Sequence, residues 1–214
     1  MFKLEYYTKE LNNLFIILSN SPKKVKNISE LFFIGLIFIS SYYYILTISG
    51  FFDVNIKRID FILIPQVLII SLFIAFIEEL IFRYYIYNKL VARYNNIYSI
   101  LITSYLYSQS HFIKFNLSFF EIIIPLINLF LFGIILSSLY RKKGIYASIG
   151  LHWSFILFIS YINQTWFISP VKSTNFITGG LYAPNGFLTT IIFIFYLVFD
   201  ECLKNKLSEN LINK

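Results

Sequence analysis

The chain alternates between long apolar runs and short clusters of charge, and six of the runs predict helices. They lie at about Leu31–Gly50, Phe61–Tyr84, Ile97–Phe112, Phe119–Leu139, Ile145–Ile162 and Phe187–Phe199. A helix needs ~20 mostly apolar residues to cross a bilayer's hydrocarbon core, and the runs fall around that length except the last, which is short unless it continues past Asp200. The expected fold class is all-α: a polytopic membrane helix bundle of about six transmembrane helices. The third run is the polar exception, with Ser99, Thr103, Ser104, Ser108, Gln109, Ser110 and His111. Polar groups at membrane depth must be satisfied by protein or trapped water, so this helix is expected to be the most enclosed.

Ahead of the first run, Leu11, Leu14, Phe15 and Leu18 fall at helical spacing. They predict an interfacial helix within segment 1–28, with Lys23, Lys24 and Lys26 meeting anionic lipid headgroups. The apolar core there is too short for a cleavable signal peptide, and Glu5 and Glu10 interrupt its approach. A transmembrane domain over 29–203 and a cytoplasmic tail over 204–214 complete the expected organisation.

Composition excludes the soluble alternatives. Hydrophobic residues make up 57% of the 214, aromatic residues 21% and charged residues only 14%, against ~25% charged in soluble domains. A soluble fold of this size could not cover so much apolar surface, and a disordered chain would not carry it. The single cysteine, Cys202, allows neither an internal disulfide nor a cysteine-based metal site. The net charge of +7 would suit nucleic acid, but its distribution does not. With both termini cytoplasmic, 14 of the 18 basic residues fall on the inner side and only Lys57, Arg58, Lys114 and Lys172 outside. That asymmetry follows the positive-inside rule for a multi-pass protein, here expected in a bacterial cytoplasmic membrane.

The informative residues are ionisable groups set among apolar ones. Between Phe61 and Phe82 the only charges are Glu78 and Glu79, followed by Arg83. Glu79 and Arg83 stand at i and i+4 in the order that favours an ion pair. Glu78 lies ~100° further round and is expected on the small-residue face with Ser71 and Ala75. The only two histidines, His111 and His152, also fall in apolar helices. Asn95 and Asn96 mark a turn, with Glu78 17 residues before Asn95 and His111 16 after it. Equal arms of an antiparallel hairpin place both groups level, ~25 Å from the turn. A carboxylate and an imidazole held together in low dielectric can activate water. His152 lies nine residues after Lys143, hence ~13 Å into the membrane, so the hairpin must protrude for Glu78 to match its depth.

Glu78-Glu79-Leu80-Ile81-Phe82-Arg83 has the form EExxxR, and Tyr107-Ser108-Gln109-Ser110-His111, Tyr140-Arg141-Lys142-Lys143-Gly144 and Gly150-Leu151-His152 follow in order. A run from Gly179 to Gly186 then opens the last helix. This order and spacing resembles the CPBP (Abi, CAAX-protease-like) family of intramembrane endopeptidases across about Phe61–Phe199. The resemblance implies a helical membrane fold with a polar cavity reached from the cytoplasm. It also implies that Glu78 and His111 activate water and that His152 supports the oxyanion, with Glu79 and Arg83 as structural partners. Two positions depart from the pattern. Tyr107 stands where FxxxH has Phe, and Ile156 where HxxxN has Asn, which removes an oxyanion donor worth ~10²–10³ in rate. Two Glu and two His also make a zinc ligand set, which would use Glu78, His111 and His152. With neither HExxH nor a cysteine-rich pattern present, the metal-free reading is preferred.

The expected function is therefore an intramembrane endopeptidase acting on a membrane-associated peptide or small protein, with lipids as its other partner. The competing class is a catalytically silent protein of the same fold, acting through partners in bacteriocin immunity or sensor regulation. A transporter would want broken or charged helices recurring in two halves, and no repeat is present. The topology is directly testable. In a Cys202→Ser background, Lys57→Cys and Lys143→Cys should react with an impermeant thiol reagent from opposite sides of the membrane.

Overall fold

The computed structural model describes residues 22–111, 119–171, 177, 178, 184, 186 and 188–197. The expected interfacial residues up to 21, Lys114, Lys172, most of the 179–186 run and the 204–214 tail lie outside the described residues. Among the described residues the chain forms six helices: α1 (Pro22–Ile48), α2 (Leu63–Val91), α3 (Asn96–Ser110), α4 (Phe119–Lys143), α5 (Ile145–Thr165) and α6 (Leu188–Leu197). Segments of α1, α2, α4 and α5 are long and apolar enough to cross a membrane. The all-α membrane fold expected from the runs is the one observed. The third helix is shorter than a span: α3 has 15 residues and stops at His111.

Local chemistry explains where the helices begin and end. The described part of α1 begins before the apolar run and includes Lys23, Lys24 and Lys26. The Asn95 side chain caps α3 by accepting from the Tyr98 N–H at 3.0 Å. Gly144, at φ 85, makes the break between α4 and α5 that a residue with a Cβ would resist. Two short strands, β1 (Phe52–Val54) and β2 (Ile168–Pro170), pair antiparallel and join the α1–α2 loop to the segment after α5. Tyr161 adds to this link, its hydroxyl donating to the Asp60 carbonyl at 3.0 Å.

Small residues let the helices approach closely, as in membrane bundles where burial from water supplies no force. A Cβ on Gly35 would run into Ser154, and one on Gly150 would run into the Ile28 carbonyl, so α1 and α5 meet nearly backbone to backbone. A Cβ on Gly133 would lie 3.0 Å from Ser104 Cα, which fixes the α3–α4 approach. Ser108 Oγ donates to the Leu126 carbonyl at 2.7 Å across the same contact. Outward-facing Phe33, Ile37, Ile45, Ile69 and Phe73 are exposed, as a lipid-facing surface requires.

One sequence expectation is reversed. Among the candidate spans α5 is the most enclosed, with half of its most apolar window buried. The polar α3 exposes Tyr98, Tyr105 and Leu106. Ser99 and Ser104 donate back to the Asn95 and Ile100 carbonyls of their own turn, while the buried Thr103 Oγ1 has no hydrogen-bond partner among the described residues. Asn88 Nδ2 donates to Tyr140 OH at 2.9 Å, which ties the end of α2 to the end of α4.

Gly150→Ala should therefore destabilise the protein by ~1–3 kcal/mol, the range for overpacking a tight contact. Thermal unfolding in detergent would show it, while Gly50→Ala, with nothing near its Cβ, costs only its positive φ.

Candidate active site

Along α2, Val67, Ser71, Ala75 and Glu79 recur at every fourth position and are buried. The small-residue face thus carries Glu79, not Glu78 as the spacing suggested. From Leu80 to Tyr87 the helix widens into π geometry, a distortion frequent at functional sites. Arg83 and Tyr87 thereby stay on the buried side. Arg83 Nη1 donates to Glu79 Oε1 at 3.0 Å, and both side chains are 0% exposed. The pair is internal, and Arg83 leaves the cytoplasmic charge count without altering its asymmetry. Arg83 Nη2 reaches the Gly133 carbonyl of α4 at 3.5 Å. Its guanidinium also lies 4.6 Å above the centre of the Tyr107 ring, a cation–π contact.

His152 enters from α5, with Nδ1 2.8 Å from Glu79 Oε1. An ionised carboxylate only accepts, so Nδ1 carries the hydrogen. The other nitrogen, Nε2, lies 3.1 Å from Tyr107 OH and 3.6 Å from Glu78 Oε2. His111 follows the last residue of α3, where Nδ1–H donates to the Tyr107 carbonyl at 2.9 Å. That bond turns its Nε2 toward Glu78 Oε2, 3.7 Å away. The hairpin has brought its two equal arms together. Glu78 Oε2 is buried and has no hydrogen-bond partner among the described residues. Formal charges on Glu78, Glu79 and Arg83 leave one negative charge in excess.

These groups open on a cavity of ≈ 270 Å³, roomy enough for several waters. Glu78, His111, His152 and Tyr107 form its polar end, while Phe132, Phe155, Ile156, Ile159 and Phe193 form an apolar wall. Ile156 faces the cavity one turn after His152, where an asparagine would have offered a donor. Neither neighbour replaces it. Trp153 Nε1 is spent on the Leu68 carbonyl and Ser71 Oγ, each at 3.1 Å, and Ser154 Oγ donates to the Leu151 carbonyl.

Sequence reasoning missed two lining residues. Asn128 of α4 is buried in the wall, donating to the Gly186 carbonyl at 3.1 Å and accepting from Thr190 at 2.7 Å. The available signal was a single amide inside the apolar run from Phe119 to Leu139. Tyr107 departs from the FxxxH pattern by one hydroxyl, and only the tertiary contact shows that this group meets His152 at the cavity. As for zinc, no three His, Cys, Asp or Glu among the described residues group in a way that could hold a metal ion. A metal on His152 Nε2 would also have to displace the Tyr107 hydroxyl.

Fold and site together define a helical membrane protein with two carboxylates and two imidazoles clustered on a cavity, Glu79 and His152 buried and Glu78 and His111 partly exposed. Residues 60–158 match the Rce1-like family model, described as type II CAAX prenyl endopeptidase Rce1-like, a model of the CPBP (Abi) family of proteases. The match contains Glu78, Glu79, Arg83, His111 and His152 and ends before the run from Gly179. No curated protein and no solved structure matches the chain.

Removing one partner of the internal ion pair should be costly. Arg83→Met leaves Glu79 buried beside His152 alone, and breaking such a pair typically costs ~3–5 kcal/mol. A lowered melting temperature in detergent is the expected result, larger than that of Arg93→Met on the exposed hairpin.

Proposed function

We propose that the protein is an intramembrane endopeptidase that hydrolyses a membrane-associated peptide using water activated by Glu78 and His111. The observation that carries this reading is the Glu78 carboxylate. Its Oε2 is buried, lacks a hydrogen-bond partner among the described residues, and lies between two imidazole nitrogens at 3.6 and 3.7 Å on the edge of a cavity.

The chemistry follows from these positions. His111 donates through Nδ1, so its Nε2 is an acceptor, and so is Glu78 Oε2. Water placed between them donates a hydrogen to each and presents its lone pair to the cavity. As the oxygen attacks the scissile carbonyl carbon, Glu78 takes one proton. The carbonyl oxygen gains the negative charge on the side of His152, which Glu79 and Arg83 hold in place. Glu78 then returns the proton to the amide nitrogen as the C–N bond breaks, giving a carboxylic acid and an amine. The route needs no metal.

The family description points to a prenylated C-terminal peptide as the substrate class. The wall of Phe132, Phe155, Ile159 and Phe193 suits an apolar substrate. In a bacterial cytoplasmic membrane the cavity would be reached from the cytoplasm.

Expression of wild type and Glu78→Gln, with membrane and secreted peptides compared by mass spectrometry, tests the reading. Cleavage products present with wild type should fall by ~10²–10⁴, the contribution of a positioned general base. Identical peptide profiles from two equally abundant, folded proteins would refute it.

A further inference from the structure

The hydrolytic reading leaves the oxyanion short of a donor, and the shortage is local. Position 156 offers a hydrocarbon, Trp153 and Ser154 are committed to α2 and to their own turn, and Asn128 is tied at both ends of its amide to Gly186 and Thr190. One hydroxyl in the cavity wall is placed differently. Tyr107 OH lies 3.1 Å from His152 Nε2, on the nitrogen that faces Glu78.

Resting on the endopeptidase reading, we propose that the Tyr107 hydroxyl is a catalytic oxyanion donor, taking over the role that position 156 has lost. Three features of its surroundings support this. Its ring is fixed by the Arg83 guanidinium on one face and by an edge contact with Phe82, whose ring centre is 5.3 Å away. The ring is therefore preorganised, which is the condition for a donor to act on a charge that develops only in the transition state. His152 holds the phenol oxygen from the side. With Nδ1–H directed to Glu79, Nε2 is the ring's acceptor and the phenol donates to it at rest, so the same hydrogen is poised to turn to the carbonyl oxygen as charge develops there. The phenol is also the nearer neighbour of Nε2, at 3.1 Å against 3.6 Å for Glu78.

The two departures from the family pattern are then one exchange. A hydroxyl gained on α3 stands in for an amide lost from α5, and both positions line the same cavity. No atom is transferred to or from Tyr107: it donates a hydrogen bond to the carbonyl oxygen as the water adds, and recovers its resting partner as the C–N bond breaks.

The test uses the full chain purified into phospholipid vesicles, with an internally quenched farnesylated peptide ending in a CAAX box as the probe. Tyr107→Phe keeps the ring and its packing and removes only the hydroxyl. It should lower kcat by about 10²-fold, the effect of one oxyanion donor, with KM and the melting temperature close to wild type. Adding Ile156→Asn to Tyr107→Phe should restore at least tenfold of the loss. A Tyr107→Phe protein with kcat within threefold of wild type, while Glu78→Gln is inactive, overturns the assignment and leaves the hydrolytic reading standing. A loss that Ile156→Asn does not restore, in a double variant that melts with wild type, also overturns it, because Tyr107 then serves only to position His152. Glu78→Gln cleaving as fast as wild type would remove the reading on which the assignment rests.

Discussion

Everything at the centre of this protein depends on the chain Arg83–Glu79–His152. An isolated carboxylate within a membrane bundle is costly, and Glu79 is tolerated because one oxygen accepts both from Arg83 at 3.0 Å and from His152 at 2.8 Å. The same two contacts tie α2 to α5, while Arg83 extends the chain to the Gly133 carbonyl of α4 and to the Tyr107 ring of α3. Four helices therefore converge on a single ionic group. Its second consequence is chemical: with Nδ1–H held by Glu79, the His152 ring is fixed and its other nitrogen is aimed at the cavity.

Adjacent carboxylates have opposite fates because a helix turns ~100° per residue. Glu79 points into the packed interface and is neutralised. Glu78 points to the cavity, keeps 23% of its side chain exposed and meets only imidazole nitrogens beyond hydrogen-bond distance. One of the pair supports the architecture, and the other is left with a lone pair to use. The widened turn after Glu79 lets Arg83 and Tyr87 remain on the buried side.

Close helix contact makes this arrangement rigid. Gly35 and Gly150 bring α1 onto α5, and Gly133 brings α4 onto α3. These approaches fix the depth of His152 relative to the hairpin that carries Glu78 and His111. The short α3 is part of the same design: it ends at His111, so the imidazole caps the helix and reaches back to the Tyr107 carbonyl.

The sequence by itself determined the fold class, because apolar runs of membrane length admit little besides helices, and their number and order are those observed. It also determined which ionisable residues to examine, since a charge or histidine amid apolar residues stands out on a single line of text. The equal lengths from Asn95 back to Glu78 and forward to His111 were legible because rise per residue is a local property. Tertiary structure alone decided which carboxylate is neutralised, because Glu78 and Glu79 differ only in the neighbours they meet. It decided as well that Trp153 and Ser154 are committed elsewhere, that α5 rather than α3 is the most enclosed span, and that the Tyr107 hydroxyl lies against His152. Each of these depends on contacts between residues distant in the chain, such as the 45 positions separating Tyr107 from His152. Periodicity carries no record of them: it fixes the face a side chain leaves from, and the packing of other helices fixes what it finds there.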